Sequence, residues 1–283
     1  MNYNKAYTGN FGIPVNHRPR SCSVLWHEPA IAWEAQLREA LEASVGKPHV
    51  AVFFRADDIG IGGRAFHALC ELFRSFEVPL ALGVIPSWLS KGRQQLLFES
   101  ASLSETLWGW HQHGWRHINW EPTGKKSEFG DHRALEKQRR DIQKGQIKLK
   151  GIFGQYMLPV FTPPWNRISH ATLDVLDELG FKAISTADPA PPGIEASLHL
   201  INLKVNLDLH TRKGTDPGSD YRLLLHELST LLAGNEPLGI MIHHQRMTSF
   251  AFQFLFKLLY LLKEILHSQF LSFEEMLKKP NEH

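Results

Sequence analysis

Short apolar runs alternate with helical patterns along this chain from about residue 30 onward. Runs of strand length that alternate with helices favour a parallel sheet, and hence an α/β fold. The predicted strands are residues 49–54, 78–85, 106–111, 157–161, 181–186, 199–205 and 238–243. No repeat or low-complexity linker divides the 283 residues. We therefore predict a single domain over residues 1–283, with a core at about 48–275 and an N-terminal extension at 1–47.

The helices are predicted from the spacing of their apolar residues. Trp33, Leu37 and Leu41 share one face of a first helix, because positions three and four apart are neighbours on a helix. Later helices are predicted at residues 63–76, 131–150, 169–180, 219–233 and 248–266. The last contains the most apolar stretch of the chain, but Lys257 interrupts it, and it is too short to span a membrane. We interpret it as a helix buried on several sides. The alternatives are a homodimer contact through residues 248–266 and a contact with a membrane surface.

The charge balance and the cysteine content exclude several classes of protein. The chain has 31 basic and 29 acidic residues and a formal charge of +2. This small excess of positive charge does not indicate a nucleic-acid-binding protein. Its two cysteines do not make a disulfide framework. The N-terminus contains no continuous apolar run of the kind found in secretory signals. We therefore expect a cytoplasmic protein with no nucleic-acid partner and no membrane span.

Two adjacent acidic residues, Asp57 and Asp58, follow the first predicted strand. Aspartate is a favoured N-cap, so the pair could simply begin the next helix. Adjacent carboxylates repel each other, however, unless a cation relieves them, and one can then bind a metal while the other acts as a base. Arg55 lies two residues upstream, on the same side of the strand as Asp57. Both interpretations of the acidic pair stay open at this point.

Histidines follow the third and the last predicted strands. His113 and His117 are spaced to converge on one cation, although with 16 histidines in the chain such a pair is expected by chance. His243 and His244 end the last strand, where a packed core histidine is the usual explanation. Together with one of the two adjacent aspartates, the first pair makes a three-ligand site with open positions that suits zinc, iron or cobalt. In α/β barrels the C-terminal ends of the strands share one face, where catalytic groups gather.

Four short motifs occur in order at these strand ends: RADDIG at 55–60, HGWRH at 113–117, FTPPWN at 161–166 and IMIHH at 240–244. This series resembles the polysaccharide deacetylases with a NodB-like homology domain, also called carbohydrate esterase family 4. The resemblance covers residues from about 50 to 245. It implies an α/β fold of the distorted (β/α)7 barrel type. It also implies a metal-dependent hydrolase that acts on carbon–nitrogen bonds other than peptide bonds, with an amino sugar or a surface-polysaccharide precursor as the N-acetylated carbohydrate substrate.

The resemblance also implies roles for individual residues. A metal-activated water attacks the acetyl group, and Asp57 is the catalytic base. His243 is the acid; His244 takes that role if the family motif aligns one residue later. The backbone N–H of Trp165 binds the oxyanion. The implied metal ligands are Asp58, His113 and His117. Substrate contacts are expected from Pro164, Trp165, Asn166 and Trp115. Zn²⁺ is the metal expected at the site, and Fe²⁺, Co²⁺ and Ni²⁺ are compatible with it.

The chain departs from the family pattern at two places. Family members often carry an arginine ahead of the Pro-rich loop that holds the catalytic aspartate, whereas this chain has Thr162. Our hypothesis is that Arg55 supplies that cation. The aspartate that tunes the late histidine is not clear either. Asp188 and Asp208 are the candidates for supporting His243, and we prefer Asp208.

Two other functions compete with this interpretation. Two histidines and one carboxylate also form the facial triad of non-haem iron oxygenases, but the alternating α/β pattern disfavours their double-sheet jelly roll. A catalytically inactive sugar-binding module is the second alternative. Its stacking platforms would be Trp108, Trp110, Trp115 and Trp165.

Overall fold

The computed structural model describes residues 17–43, 51–189, 194 and 200–278. Within these residues, eight parallel strands form one sheet in the order β6-β5-β4-β3-β2-β1-β8-β7. The strands are β1 (Val52–Ile59), β2 (Leu80–Val84), β3 (Trp108–His113), β4 (Met157–Thr162), β5 (Ala183–Ile184), β6 (Ile201–Asn202), β7 (Leu207–Asp208) and β8 (Leu238–Ile242).

A single extended segment joins the two edges of this sheet. β6 and β7 are consecutive parts of that segment, which replaces the strand predicted at 199–205. At its first end the Leu203 N–H donates to the Ile184 carbonyl of β5 at 2.8 Å. At its second end the Leu209 N–H donates to the Met241 carbonyl of β8 at 3.2 Å. The eight strands therefore occupy seven positions around a ring, and the predicted distorted (β/α)7 barrel is confirmed.

Helices surround the ring of strands. They are α1 (Trp33–Glu42), α2 (Arg64–Phe76), α3 (Lys91–Ser100), α4 (Leu135–Phe153), α5 (His170–Glu178), α6 (Pro217–Leu232), α7 (Ser249–Glu264) and α8 (Phe273–Lys278). Side chains alternate along β1 between this outer layer and the barrel interior. Phe54 packs in the core shared with the helices, whereas Phe53 lies inside the barrel with Phe273 of α8. Arg55 and Asp57 follow on the same inward face as Phe53.

Part of the predicted N-terminal extension belongs to the outer layer of the barrel. Trp26 is fully buried, and its ring centroid lies 5.0 Å from that of Phe254 in α7. Its indole N–H donates to the Leu209 carbonyl at 2.7 Å. The Tyr221 hydroxyl of α6 donates to the Trp33 carbonyl of α1 at 2.7 Å. The core therefore begins well before the predicted boundary near residue 48.

The apolar helix α7 is buried within the chain. Ten of its 16 residues are buried, and Lys257 pairs with Glu34 of α1 at 3.0 Å. These contacts confirm the interpretation as a helix buried on several sides, and a homodimer through residues 248–266 stays a prediction. Within the residues that the structure covers, no helix combines the length and the apolar character needed to cross a bilayer. Both cysteines, Cys22 and Cys70, are free.

Two strands extend further than predicted. β1 ends at Ile59 rather than at residue 54, so Asp57 and Asp58 belong to the end of the strand and not to the loop after it. In the same way, His113 is the last residue of β3. From the sequence, both strands were predicted to end before these polar residues, because polar side chains normally face solvent. In the structure, these side chains face polar partners at the barrel mouth. Residues 49–50 of the first predicted strand lie outside the described residues.

Candidate metal centre

Three side chains converge at the mouth of the barrel, where β1 and β3 end. Asp58 Oδ1 lies 3.3 Å from His113 Nε2 and 3.3 Å from His117 Nε2. Ligand atoms of the three residues all lie within 4.8 Å of one another. Asp58 Oδ1 is buried and has no hydrogen-bond partner in the described part of the chain. Lone pairs that face one another in this way fit a divalent cation, and one carboxylate with two imidazoles is a donor set that binds zinc.

The electrostatics of the site favour its binding a cation. Burial opposes the ionisation of Asp58, but His113 and other nearby histidines lower the pKa of this carboxyl below its usual range. Burial, together with the charge of His113, lowers the pKa of His117 to about 4, so the His117 ring is neutral near pH 7. Burial also disfavours the charged form of His113, but Asp57 and Asp58 outweigh it and raise the pKa of His113. A metal cation can replace the proton that these carboxylates attract to His113.

Thr162 of β4 fixes the orientation of the His113 ring. His113 Nδ1 donates to the Thr162 backbone carbonyl at 3.0 Å, which leaves Nε2 free to face Asp58. The Gly114 N–H donates to the same carbonyl at 3.1 Å. The Thr162 hydroxyl lies 2.9 Å from His111 Nε2. The backbone of Thr162 therefore helps to position a predicted metal ligand.

Several residues of the mouth adopt left-handed backbone conformations. The φ angles of Asp58 and His117 are 61° and 58°, and those of Trp165 and Asn166 are 56° and 55°. Such angles are uncommon outside glycine. Each costs about 1–3 kcal/mol and persists only where the surrounding structure enforces it. Strain of this kind concentrates at functional sites. Its occurrence at four predicted site residues indicates that the mouth is held in a defined geometry.

A buried acid that the sequence analysis missed holds the loop between His113 and His117. Glu128 is fully buried. Its carboxylate accepts the backbone N–H groups of Trp115, Arg116 and His117 at 3.3, 2.7 and 3.1 Å. Burial raises the pKa of Glu128, and the three N–H donors and His113 oppose the rise. No local pattern marks this residue, because a glutamate in a polar stretch is normally exposed.

Arg55 is completely buried beneath Asp57. Arg55 Nη2 donates to Asp57 Oδ2 at 2.8 Å and to Asn166 Oδ1 at 2.7 Å. Its Nη1 donates to Ser185 Oγ at 2.8 Å. Burial acts to raise the pKa of Asp57, but Arg55 and the neighbouring histidines lower it overall. Asp57 Oδ1 is buried without a hydrogen-bond partner among the described residues. An ionised carboxylate with one unoccupied oxygen is equipped to accept a proton.

The Pro-rich loop after β4 forms another side of the mouth. Residues 164–166 make one turn of 3-10 helix, in which Pro164 is buried. The Trp165 ring centroid lies 4.3 Å from that of His117, so this loop borders the three converging side chains. Trp115 belongs to the loop between His113 and His117, and its partly buried ring packs against the hydrophobic core beneath α4 and α5.

His243 directly follows β8 and faces the site. Its backbone N–H donates to His210 Nδ1 at 3.2 Å, and its imidazole is close enough to lower the pKa of Asp58. His244 points to the outer layer, where its ring centroid lies 5.5 Å from that of Phe66 in α2. The assignment of His243 rather than His244 as the late histidine of the site stays a prediction.

Neither acid proposed to support His243 is hydrogen-bonded to it in the described part of the chain. The Asp208 carboxylate accepts two backbone N–H groups of the turn after β7, at 2.9 and 3.0 Å. Asp188 Oδ1 lies 3.5 Å from Lys204 Nζ. His210 does contact His243, through the His243 N–H. Sequence reasoning missed His210 because a single histidine after a short strand carries no recognisable signal.

No protein-family model and no curated protein matches the sequence. Solved structures do match. A Mycobacterium smegmatis protein assigned as a polysaccharide deacetylase superimposes with a TM-score of 0.57 at 14% identity, over 83% of this chain and 92% of that one. The polysaccharide deacetylase Bc1974 from Bacillus cereus gives a TM-score of 0.52 at 13% identity, over 82% and 96% of the two chains.

A third match carries a different description. A pseudoenzyme of the CE4 family from Bacillus anthracis superimposes with a TM-score of 0.52 at 12% identity, over 82% of this chain and 66% of that one. The fold thus occurs in proteins described both as deacetylases and as a pseudoenzyme, so activity has to be argued from the site residues. What the likeness establishes is that this chain has the fold of the CE4 polysaccharide deacetylases.

Proposed function

We propose that this chain is a metal-dependent hydrolase that removes an N-acetyl group from an amino sugar or a surface-polysaccharide precursor. The observation that carries the proposal is the convergence of His113 Nε2 and His117 Nε2 on Asp58 Oδ1, at 3.3 Å each. The buried carboxylate of Asp57 lies beside this group. A cation site next to a proton acceptor is the arrangement that hydrolysis of an amide requires.

Asp58, His113 and His117 would hold the metal. This donor set suits Zn²⁺, and Fe²⁺, Co²⁺ and Ni²⁺ are compatible with it. When bound, a divalent cation polarises a carbonyl and lowers the pKa of water. The orientation of His113 by Thr162 and of the His117 loop by Glu128 supports binding, because ligands that are already in place lose little freedom when the metal arrives.

Asp57 is the proposed base. Its Oδ1 atom has no hydrogen-bond partner among the described residues, so it can take a proton from the water that attacks the acetyl carbonyl. Arg55, 2.8 Å from Asp57 Oδ2, keeps the carboxylate ionised and fixes its direction. This arrangement supports the hypothesis that Arg55 replaces the arginine that family members often carry ahead of the Pro-rich loop.

Trp165 and His243 complete the proposed reaction. The Trp165 N–H would stabilise the oxyanion that forms on the acetyl carbonyl, an interaction worth roughly 3–4 kcal/mol in other enzymes. His243 would then protonate the departing amine, so that acetate and the free amino sugar are released. Pro164, Trp165, Asn166 and Trp115 are proposed to border the sugar.

An inactive sugar-binding module is the second candidate, favoured by the structural match to a CE4 pseudoenzyme. Catalysis is favoured instead, because this chain has every residue proposed for it: Asp57, His243 and the three converging side chains. Two of the tryptophans proposed as sugar platforms, Trp108 and Trp110, are buried in the core outside the barrel. An iron oxygenase has less support, because the parallel barrel differs from the jelly roll of that class.

The test is metal analysis of the purified protein, combined with an acetate-release assay. The assay panel comprises N-acetylglucosamine as the free sugar, as a nucleotide-linked sugar and as oligomers. We expect one bound divalent metal and acetate release that Asp57→Asn lowers roughly 10²–10⁴-fold. Asp131→Asn, at an exposed position, is the matched control and should retain full activity. Metal-loaded protein that releases no acetate from any of these sugars would overturn the proposal, and sugar binding without turnover would favour the inactive module.

A further inference from the structure

Glu128 lies outside all four sequence motifs, yet it contacts the loop that carries His117. Its carboxylate receives the N–H groups of three consecutive residues, at 3.3 Å from Trp115, 2.7 Å from Arg116 and 3.1 Å from His117. Successive N–H groups that point into one concavity form an anion-binding nest. Here the anion is a side chain of the protein itself.

The chain around Glu128 is anchored independently of that loop. Phe129 is fully buried in the core beneath α4 and α5, and its carbonyl accepts the Ser169 N–H at 2.8 Å. The hydroxyl of Ser127 donates to the Arg167 carbonyl at 3.3 Å. Glu128 is thus presented to the loop from a segment that has its own contacts with the core.

The loop has the backbone conformation that such an anion stabilises. Gly114 and His117 both have a φ of 58°, which turns the intervening N–H groups inward. A Cβ at Gly114 would lie 2.5 Å from Glu128 Oε2 and 2.5 Å from Pro164 Cγ, so the glycine lets the carboxylate approach. His117 has no such freedom, because a residue with a Cβ disfavours this conformation unless its surroundings enforce it.

The direction of the His117 side chain depends on that conformation. Its Nε2 lies 3.3 Å from Asp58 Oδ1, and a change of φ to the usual negative region would swing the imidazole away from Asp58 and His113. We propose that Glu128 is the positioning residue of the metal centre: its buried carboxylate holds residues 114–117 in the conformation that aims His117 at the cation. The inference rests on the proposed metal site and adds a residue that touches neither metal nor substrate.

The experiment compares Glu128→Gln with Glu136→Gln. Both substitutions remove one negative charge, but Glu136 is exposed at the start of α4, with a side-chain exposure of 84%. Two quantities are measured: the dissociation constant for Zn²⁺ of the metal-free protein, and amide hydrogen exchange of residues 115–117 in that same metal-free protein. Neither requires the protein to be active.

We expect Glu128→Gln to weaken Zn²⁺ binding by about 10–100-fold, the usual effect of losing a group that orients a ligand. Exchange at residues 115–117 should become faster, while that of the barrel strands stays unchanged. Glu136→Gln should leave both quantities within about twofold of the parent. A Glu128→Gln protein that retains the parent's Zn²⁺ affinity and its slow loop exchange would overturn the inference.

Two further outcomes can be distinguished from failure of the inference. If the parent itself binds no divalent cation, the proposed function fails, and loop exchange alone then decides whether Glu128 holds residues 114–117. If Glu128→Gln does not fold, Glu128→Asp is measured instead, because it keeps the charge but is shorter by one methylene. Glu128→Asp should weaken Zn²⁺ binding and speed loop exchange, and parental values for both would overturn the inference.

Discussion

The two sides of the barrel mouth are built differently. On the side of β1 and β3, the proposed ligands have partners that fix them: His113 Nδ1 donates to the Thr162 carbonyl and Glu128 holds the backbone of His117. On the side of β8, His243 is held through its backbone N–H. Its imidazole Nδ1 is buried without a partner in the described part of the chain.

This contrast matches the different tasks proposed for the two sides. A metal ligand must keep one position, so it benefits from groups that fix its tautomer and direction. A histidine that gives a proton to a leaving group has to stay in contact with that group while the group moves during the reaction. We therefore expect loss of a proposed ligand to abolish metal binding, loss of an orienting group such as Glu128 to weaken it, and substitution of His243 to spare it.

The largest effect is expected for His113→Ala. Loss of one of three ligands should lower Zn²⁺ affinity by more than the roughly 10–100-fold that follows the loss of an orienting group, and acetate release should disappear with the metal. Bound metal after dialysis and the Zn²⁺ dissociation constant measure the effect. His226→Ala, at an exposed position of α6, is the matched control. Full metal occupancy in His113→Ala would remove His113 from the site.

His243→Ala tests the opposite side. Removing the proposed acid should lower kcat by about 10²–10⁴-fold, while metal content remains at the parental level. The measurements are kcat for acetate release and metal content of the same preparation. If His243→Ala lost metal as readily as His113→Ala, the two sides of the mouth would not divide metal binding and proton donation between them.

Arg55→Gln tests the residue that lies beneath Asp57, the proposed base. Arg55 lowers the pKa of Asp57 against the effect of burial, so its removal should raise that pKa. Because the proposed base works only when deprotonated, activity should then be lost at a higher pH on the acidic limb, by roughly 1–3 pH units. The pH dependence of kcat/KM measures this shift. Arg55→Lys keeps a cation and should shift the limb less, whereas an unchanged limb in Arg55→Gln would reject the role of Arg55.

The smallest effect is expected at His210. His210→Leu removes the acceptor for the His243 N–H and should reduce the free energy of unfolding by about 1–3 kcal/mol, the cost of leaving a buried donor unpaired. His210→Asn places an oxygen near the position of Nδ1 and should lose less. Urea unfolding of both variants measures the difference. Equal losses in the two variants would mean that packing, and not this hydrogen bond, is the contribution of His210.

The sequence predicted the groups that occur in recognisable motifs at strand ends. Asp57, Asp58, His113 and His117 could be found because short polar motifs followed apolar strands, and parallel strands bring their C-terminal ends to one face. The ends of β1 and β3 were placed too early for the same reason. Polar side chains inside the barrel look, in sequence, like the start of a loop.

The groups that orient those residues could not be found in this way. Glu128 acts through backbone N–H groups, and any residue that brings a carboxylate to that position would serve, so no spacing marks it. His210 likewise contacts a backbone N–H 33 residues away along the chain. The closure of the ring by β6 and β7 was hidden because each is two residues long, too short for an alternating pattern to be visible.

The helix α8 closes the end of the barrel opposite the mouth. The Phe273 ring centroid lies 5.8 Å from that of Phe53 and 5.2 Å from that of His111, so aromatic packing fills the floor. Buried side chains such as Arg55, His111 and Met241 fill the interior below Asp57, so a molecule that contacts the Asp57 carboxylate would approach it from the mouth and leave on the same side. Under the proposed function, acetate and the deacetylated sugar would therefore leave past the same mouth loops that the next substrate molecule has to pass.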